Sequence, residues 1–204
     1  MPVPSRNPKV IVIAGPNGAG KSTAAPELLQ GTLAVSEFVN ADVIARGLAA
    51  FDPESVSIQA GRIMLARLNE LAGQRESFAF ETTLASRTFA KWITELRKTG
   101  YHFHLVYLWL PSAELAISRV QARVAQRGHH VPDDIVRRRY LRGLVNFFEL
   151  YRPLATSWKV YSNRDDSGPN PVAEGGLGLA DKILDPSIWM QLKDEAERGT
   201  RPNR

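Results

Sequence analysis

The stretch KVIVIAGPNGAGKST, residues 9–23, constrains what this chain can fold into more than any other. Residues 9–14 are β-branched and almost continuously apolar, which is the pattern of a strand covered on both faces rather than on one. Directly behind them Gly15, Gly20, Lys21 and Ser22 satisfy the spacing G-x-x-x-x-G-K-[ST], and a helical pattern runs on from Gly20. Strand, glycine-rich turn and helix together make a cradle for phosphate. The glycines let the backbone wrap an anion, and the exposed N–H groups and the helix dipole attract it. Lys21 is placed to bridge the terminal phosphates and Ser22 to offer its hydroxyl to Mg²⁺, while Pro16, Asn17, Gly18, Ala19 and Thr23 complete the loop. A nucleoside triphosphate is therefore the expected ligand. ATP is favoured because no N-K-x-D guanine signature is present.

Further along the chain, strand and helix patterns keep alternating. Residues 34–40 and 77–83 read as strands, 101–110 as the strongest strand, and 158–163 as a last one. Between them lie helical patterns at 52–77, 87–100, 112–128 and 133–155. The first of these is expected to start at an Asp52 cap with Pro53 in its first position, burying Ile58, Ile63, Leu65, Leu68 and Leu71 on one face. Gly100 closes the second. This alternation predicts an α/β fold of the P-loop NTPase type, nucleoside-kinase-like, with a mostly parallel five-stranded sheet flanked by helices and a helical lid. Residues 164–182, rich in Gly, Pro and Asp, read as loop, and the polar end from residue 194 reads as a fraying tail. The expected organisation is one kinase domain over 1–204, with a core at about 9–164 and a partly flexible C-terminal extension.

At 204 residues the chain is long enough for a substantial core without covalent staples, and too short for an AAA-type or transporter ATPase with accessory elements. Small NTP-dependent kinases are the class left. No apolar run approaches the ~18 residues of a membrane span, so a soluble protein is expected. The amino terminus lacks the apolar centre of a secretory signal and there is no cysteine, which points to the cytoplasm, where ATP is. The formal charge of +5 gathers as arginines between Arg119 and Arg142. No aromatic stacking motif is interleaved with them, so they are expected to cover nucleotide phosphates rather than bind nucleic acid.

Transfer to an acceptor requires a carboxylate that orients the acceptor hydroxyl and takes its proton. Asp42 follows the second strand, on the sheet edge that also carries the phosphate loop, although it could equally cap the helix it begins. Glu81 ends the next strand beside Thr82 and Thr83, and a bare carboxylate there must be paired, solvated in a cleft, or set near a metal through water. A salt bridge to an arginine is the competing account. His129 and His130 lack a third ligand at metal spacing, so no metal beyond Mg²⁺ is expected. Trp92, Trp109 and Trp158 are expected in the core, and Arg137, Arg138 and Arg139 form a charged helix stretch of which only one member can face the lid.

Five segments in order, GPNGAGKST, NADVIA, FETTLAS, KTGYHFHLVYLWLPSAELAISRVQARV and RGHHVPDDIVRRRY, resemble the zeta-toxin family of P-loop kinases, in particular its small chromosomal branch. The resemblance runs from about residue 9 to about residue 164. It implies ATP- and Mg²⁺-dependent phosphorylation of a nucleotide sugar such as UDP-N-acetylglucosamine, and a partner antitoxin. On this likeness Asp42 matches the base, Glu81 and Thr83 match acceptor contacts, and Arg123 and Arg127 match the arginines on the phosphates. Arg119 and Arg138 are the alternatives for the second arginine, because the segment between the two positions is shorter here. Asn163 would match a contact at the nucleotide edge. A polynucleotide-end kinase and a non-enzymatic, ATP-regulated binding module remain the competing readings.

Overall fold

The computed structural model describes residues 7–29, 35–125, 130–165 and 168–200. Its centre is β1, Lys9–Ala14, where Val10 through Ala14 are entirely buried, as the unbroken apolar run requires. On one side β1 pairs in parallel with β3 (Phe78–Thr82), which carries β2 (Glu37–Val39) outside it. On the other side lie β4 (His102–Trp109) and β5 (Ser157–Ser162), again parallel. The expected five-stranded sheet is then exceeded. β6 (Asn170–Gly176) continues the same sheet antiparallel to β5, and β7 (Leu179–Ile183) pairs antiparallel with β6, giving seven strands in the order β2-β3-β1-β4-β5-β6-β7.

This hairpin corrects the loop expected at 164–182. Gly178, at φ +73, does make the turn between β6 and β7, but Gly175 lies in the strand under the Trp158 ring, where a Cβ would sit 2.6 Å from the ring carbons. A glycine can belong to a strand where another group approaches this closely. The tail is also helical: α7, Pro186–Thr200, lays Ile188, Trp189, Leu192 and Ala196 against the core.

Helices cover both faces. Val10 and Val12 of β1, Phe78 and Phe80 of β3, and the residues of β4 from Phe103 to Trp109 in alternation build the larger core. It is closed by α3 (Ser57–Gly73), α4 (Thr88–Lys98) and α7. On the opposite face Ile11 and Ile13 meet α1 (Lys21–Leu28), while Leu108 and Leu110 meet α5 (Ala113–Ala125) and the first half of α6 (Asp133–Asn146). Of the α3 residues expected inside, Leu68 and Leu71 are buried, whereas Ile58, Ile63 and Leu65 are exposed; Ala60 and Met64 complete the inner stripe instead. The reason is helical spacing: Ala60, Met64, Leu68 and Leu71 recur every three or four residues and share one face, which Ile58, Ile63 and Leu65 do not. Asp52 makes its bonds with Ser55 in a local turn, and α3 begins at Ser57. After α6 the backbone passes through a π-helical turn, Phe147–Tyr151, into β5. Trp109 and Trp158 are core residues, and Trp92 packs partly buried against Phe78 and Phe80.

Candidate active site

All five parallel strands point their carboxyl ends the same way, and the loops leaving them surround a cleft of ≈ 500 Å³. The loop after β1 forms its floor. Gly15 sits at φ +143, in the region that favours glycine, and a Cβ there would stand 2.2 Å from the Leu108 carbonyl oxygen. Lys21 is nine-tenths buried beneath this loop and donates to the Pro16 carbonyl at 2.8 Å. Burial pushes its ammonium below the usual lysine value, and the Glu81 and Asp42 carboxylates pull it back up.

Asp42 lies in the first turn of α2, Ala41–Leu48. It does not cap that helix, since the Asn40 side chain accepts from the backbone N–H groups of Asp42 (2.8 Å) and Val43 (3.3 Å). The Asp42 carboxylate is free of capping and lines the cleft. Among the described residues the ion pair of Glu81 is with Lys21 and not with an arginine. Its Oε2 accepts 2.7 Å bonds from the Ser22 hydroxyl and from Asn40 Nδ2, and its Oε1 is 3.7 Å from Lys21 Nζ. Thr83 also lines the cleft.

The arginines sort themselves by geometry. Arg119, Arg123 and Arg139 line the cleft with Arg46 of α2, so Lys21 and four arginines share it with Asp42 and Glu81. Arg137 pairs with Glu114 and, like Arg138, is exposed on the outer face of α6. Arg138 is thereby removed as the second phosphate contact. Arg139 is the inward member of the trio; burial lowers its pKa and the Asp42 charge raises it. It could have been found in the sequence, because it stands three residues after buried Val136 and four before buried Gly143. Arg119 donates to the Asn163 backbone carbonyl at 2.7 Å, and the Asn163 amide donates to Ala19 O at 2.9 Å. Asn163 thereby ties the phosphate loop to the end of β5. Arg127 and His129 lie outside the described residues, and His130 is exposed. Asn40 and Arg46 were missed because neither belongs to a motif with a chemistry of its own.

The donor set suits a triphosphate and a hydrated divalent cation: backbone amides, one buried ammonium, several guanidiniums, and a hydroxyl hydrogen-bonded to a carboxylate. The AAA_33 family, described as AAA domain, matches residues 10–144, from β1 into the last turns of α6. The chain belongs to this family. The AAA_33 match corrects the length argument against the AAA type, because the stretch it covers is the phosphate-loop core, without accessory elements. An uncharacterized protein of Haemophilus influenzae is 30% identical over 132 residues, covering 65% of this chain and 92% of that one. Among solved structures, the AvrRxo1-ORF1:-ORF2 complex with ATP superposes with a TM-score of 0.71 at 16% identity, over 91% of this chain and 63% of its own. The chain thus spans less than two thirds of that neighbour. The PezAT chromosomal toxin-antitoxin system of Streptococcus pneumoniae gives 0.60 at 14% identity, over 98% of this chain and 90% of its own. These likenesses establish an α/β P-loop kinase-like fold. Among the described residues no helix is long and apolar enough to cross a membrane.

Proposed function

We propose that this protein is an ATP-dependent small-molecule kinase of the zeta-toxin type, acting in the cytoplasm on a hydroxyl of a nucleotide sugar such as UDP-N-acetylglucosamine. The observation that carries the reading is the convergence of Asp42, Lys21, Ser22 and Arg123 on one cleft at the carboxyl edge of the sheet. In this reading the acceptor oxygen attacks the γ-phosphorus of ATP while Asp42 takes its proton, and the bond from the γ-phosphorus to the bridging oxygen breaks to release ADP. Lys21, Arg123 and a second arginine neutralise charge on the transferring group. Arg119 and Arg139 line the cleft as candidates for that second role, beside the expected Arg127. Ser22, with the ATP phosphates, would hold Mg²⁺, which when bound would supply Lewis-acid charge neutralisation. Glu81 and Thr83 stand on the acceptor side, with Glu81 close enough to Ser22 to take part in ordering water around the metal.

A partner of antitoxin type belongs to the same reading, since the pneumococcal neighbour is part of a toxin-antitoxin system and AvrRxo1-ORF1 is complexed with ORF2. The decisive experiment is phosphorus NMR of the protein with ATP, Mg²⁺ and UDP-N-acetylglucosamine. A new phosphomonoester is expected, absent with Lys21→Ala and Asp42→Asn. ATP binding without any ester on this acceptor would reject the nucleotide-sugar assignment, and a screen of metabolite and oligonucleotide acceptors would then decide between another kinase and a binding module.

A further inference from the structure

Asn40 is 5% exposed and spends its whole side chain on three elements at once. Its Oδ1 accepts from the Asp42 and Val43 N–H groups in the first turn of α2, the helix that carries Asp42. Its Nδ2 donates to Glu81 Oε2 at 2.7 Å and lies 3.3 Å from Ser22 Oγ. The neighbours leave one amide orientation, because turning it over would set a carbonyl against the Glu81 carboxylate and NH₂ against two N–H donors. Capping alone would accept Asp, Ser or Thr at this position. Facing Glu81 at the same time excludes them: Asp brings a second negative charge, and the shorter hydroxyl cannot span to β3. Asn is the residue that meets both demands.

The bond between Ser22 and Glu81 explains why the carboxylate has to be held. When Glu81 accepts the Ser22 proton and one lone pair of the Ser22 oxygen accepts from Asn40 Nδ2, the other lone pair is left for a cation. We infer that Asn40 is the positioning residue of this corner: it fixes Glu81 so that Ser22 presents its oxygen to Mg²⁺, and ties the Asp42-bearing helix to the same carboxylate. This inference rests on the kinase reading above, but its test does not need the acceptor.

The experiment is calorimetric titration of ATP, with and without Mg²⁺, into the wild-type protein, Asn40→Ser and Asn40→Asp. Both variants keep an N-cap oxygen, and a thermal melt of each checks the fold. Metal-free ATP binding is expected to stay within about twofold of wild type, while the gain in affinity from Mg²⁺ falls about 10- to 100-fold in Asn40→Ser. In Asn40→Asp the gain falls as well, because the amide N–H that holds Glu81 is gone. A merely structural role would lower ATP binding alike with and without Mg²⁺. An unchanged Mg²⁺ gain in both variants, or an equal fall in ATP affinity with and without Mg²⁺, overturns the inference. A wild-type protein that binds no ATP overturns the kinase reading as well, and so separates the two failures.

Discussion

Gly143 on α6 passes so close to the end of β3 that a Cβ built on it would stand 2.3 Å from the Thr83 carbonyl oxygen. Around this contact Asn146 Nδ2 donates to Leu84 O at 2.7 Å and the Tyr151 hydroxyl donates to Ser86 O at 2.5 Å. Leu84, fully buried, is held there at φ +58, which a branched side chain adopts only when its surroundings fix it. The helix that brings Arg139 to the cleft is thus seated directly on the loop that brings Thr83. Gly143→Ala is expected to lower stability by about 1–3 kcal/mol and to weaken acceptor use more than ATP binding. Denaturant unfolding and separate ATP titration check both; a variant indistinguishable from wild type would show that the contact is relaxed in solution.

Arg139 faces the cleft and Arg138 faces away from it. Charge-assisted bonds of about 1.5–3 kcal/mol correspond to a fall of roughly 10- to 100-fold in kcat/KM for Arg139→Ala. Arg138→Ala is expected to leave it within about twofold. Equal effects in steady-state kinetics would contradict the assignment of the two side chains to opposite faces.

His104 shows how the fold depends on pH. Burial, and then the charges of Lys9 and His102, lower its pKa from 6.5 to about 4, while Nδ1 lies 2.8 Å from the Ser157 hydroxyl. A histidine that is harder to protonate when folded binds fewer protons than the unfolded chain in this interval. Its contribution is complete above pH 6.5 and is lost as pH falls toward 4. Melting temperature should therefore drop over that window, and His104→Asn should flatten the slope. A parallel profile for the variant would assign the acid sensitivity to other groups.

Trp189 anchors α7. Its ring stacks on Trp158 with centroids 5.5 Å apart at 8°, and the Arg152 guanidinium lies over Trp158 at 4.8 Å. Trp189→Ala is expected to cost about 3–5 kcal/mol in denaturant unfolding. A loss below about 1 kcal/mol would mean that α7 contributes little to the core.

The parallel strands and the phosphate loop were legible because their signals are local: a β-branched run for β1, an apolar and aromatic one for β4, and glycines followed by Lys21 and Ser22. The hairpin β6–β7 was not legible, because Gly175 answers to the Trp158 ring across the sheet and not to its own neighbours in sequence. The start of α3 was displaced by a side-chain bond within the Asp52 turn, which propensity alone does not weigh. Asp42 and Glu81 could be singled out as carboxylates at strand ends, yet only packing decides that Asn40 caps α2 and leaves Asp42 facing the cleft. In the same way the sequence supplies an arginine-rich helix, and the seating of α6 on Thr83 selects Arg139 from it. Local pattern determined the elements and their order. The choice of which polar groups meet belonged to the tertiary structure, because that choice depends on contacts between residues dozens of positions apart.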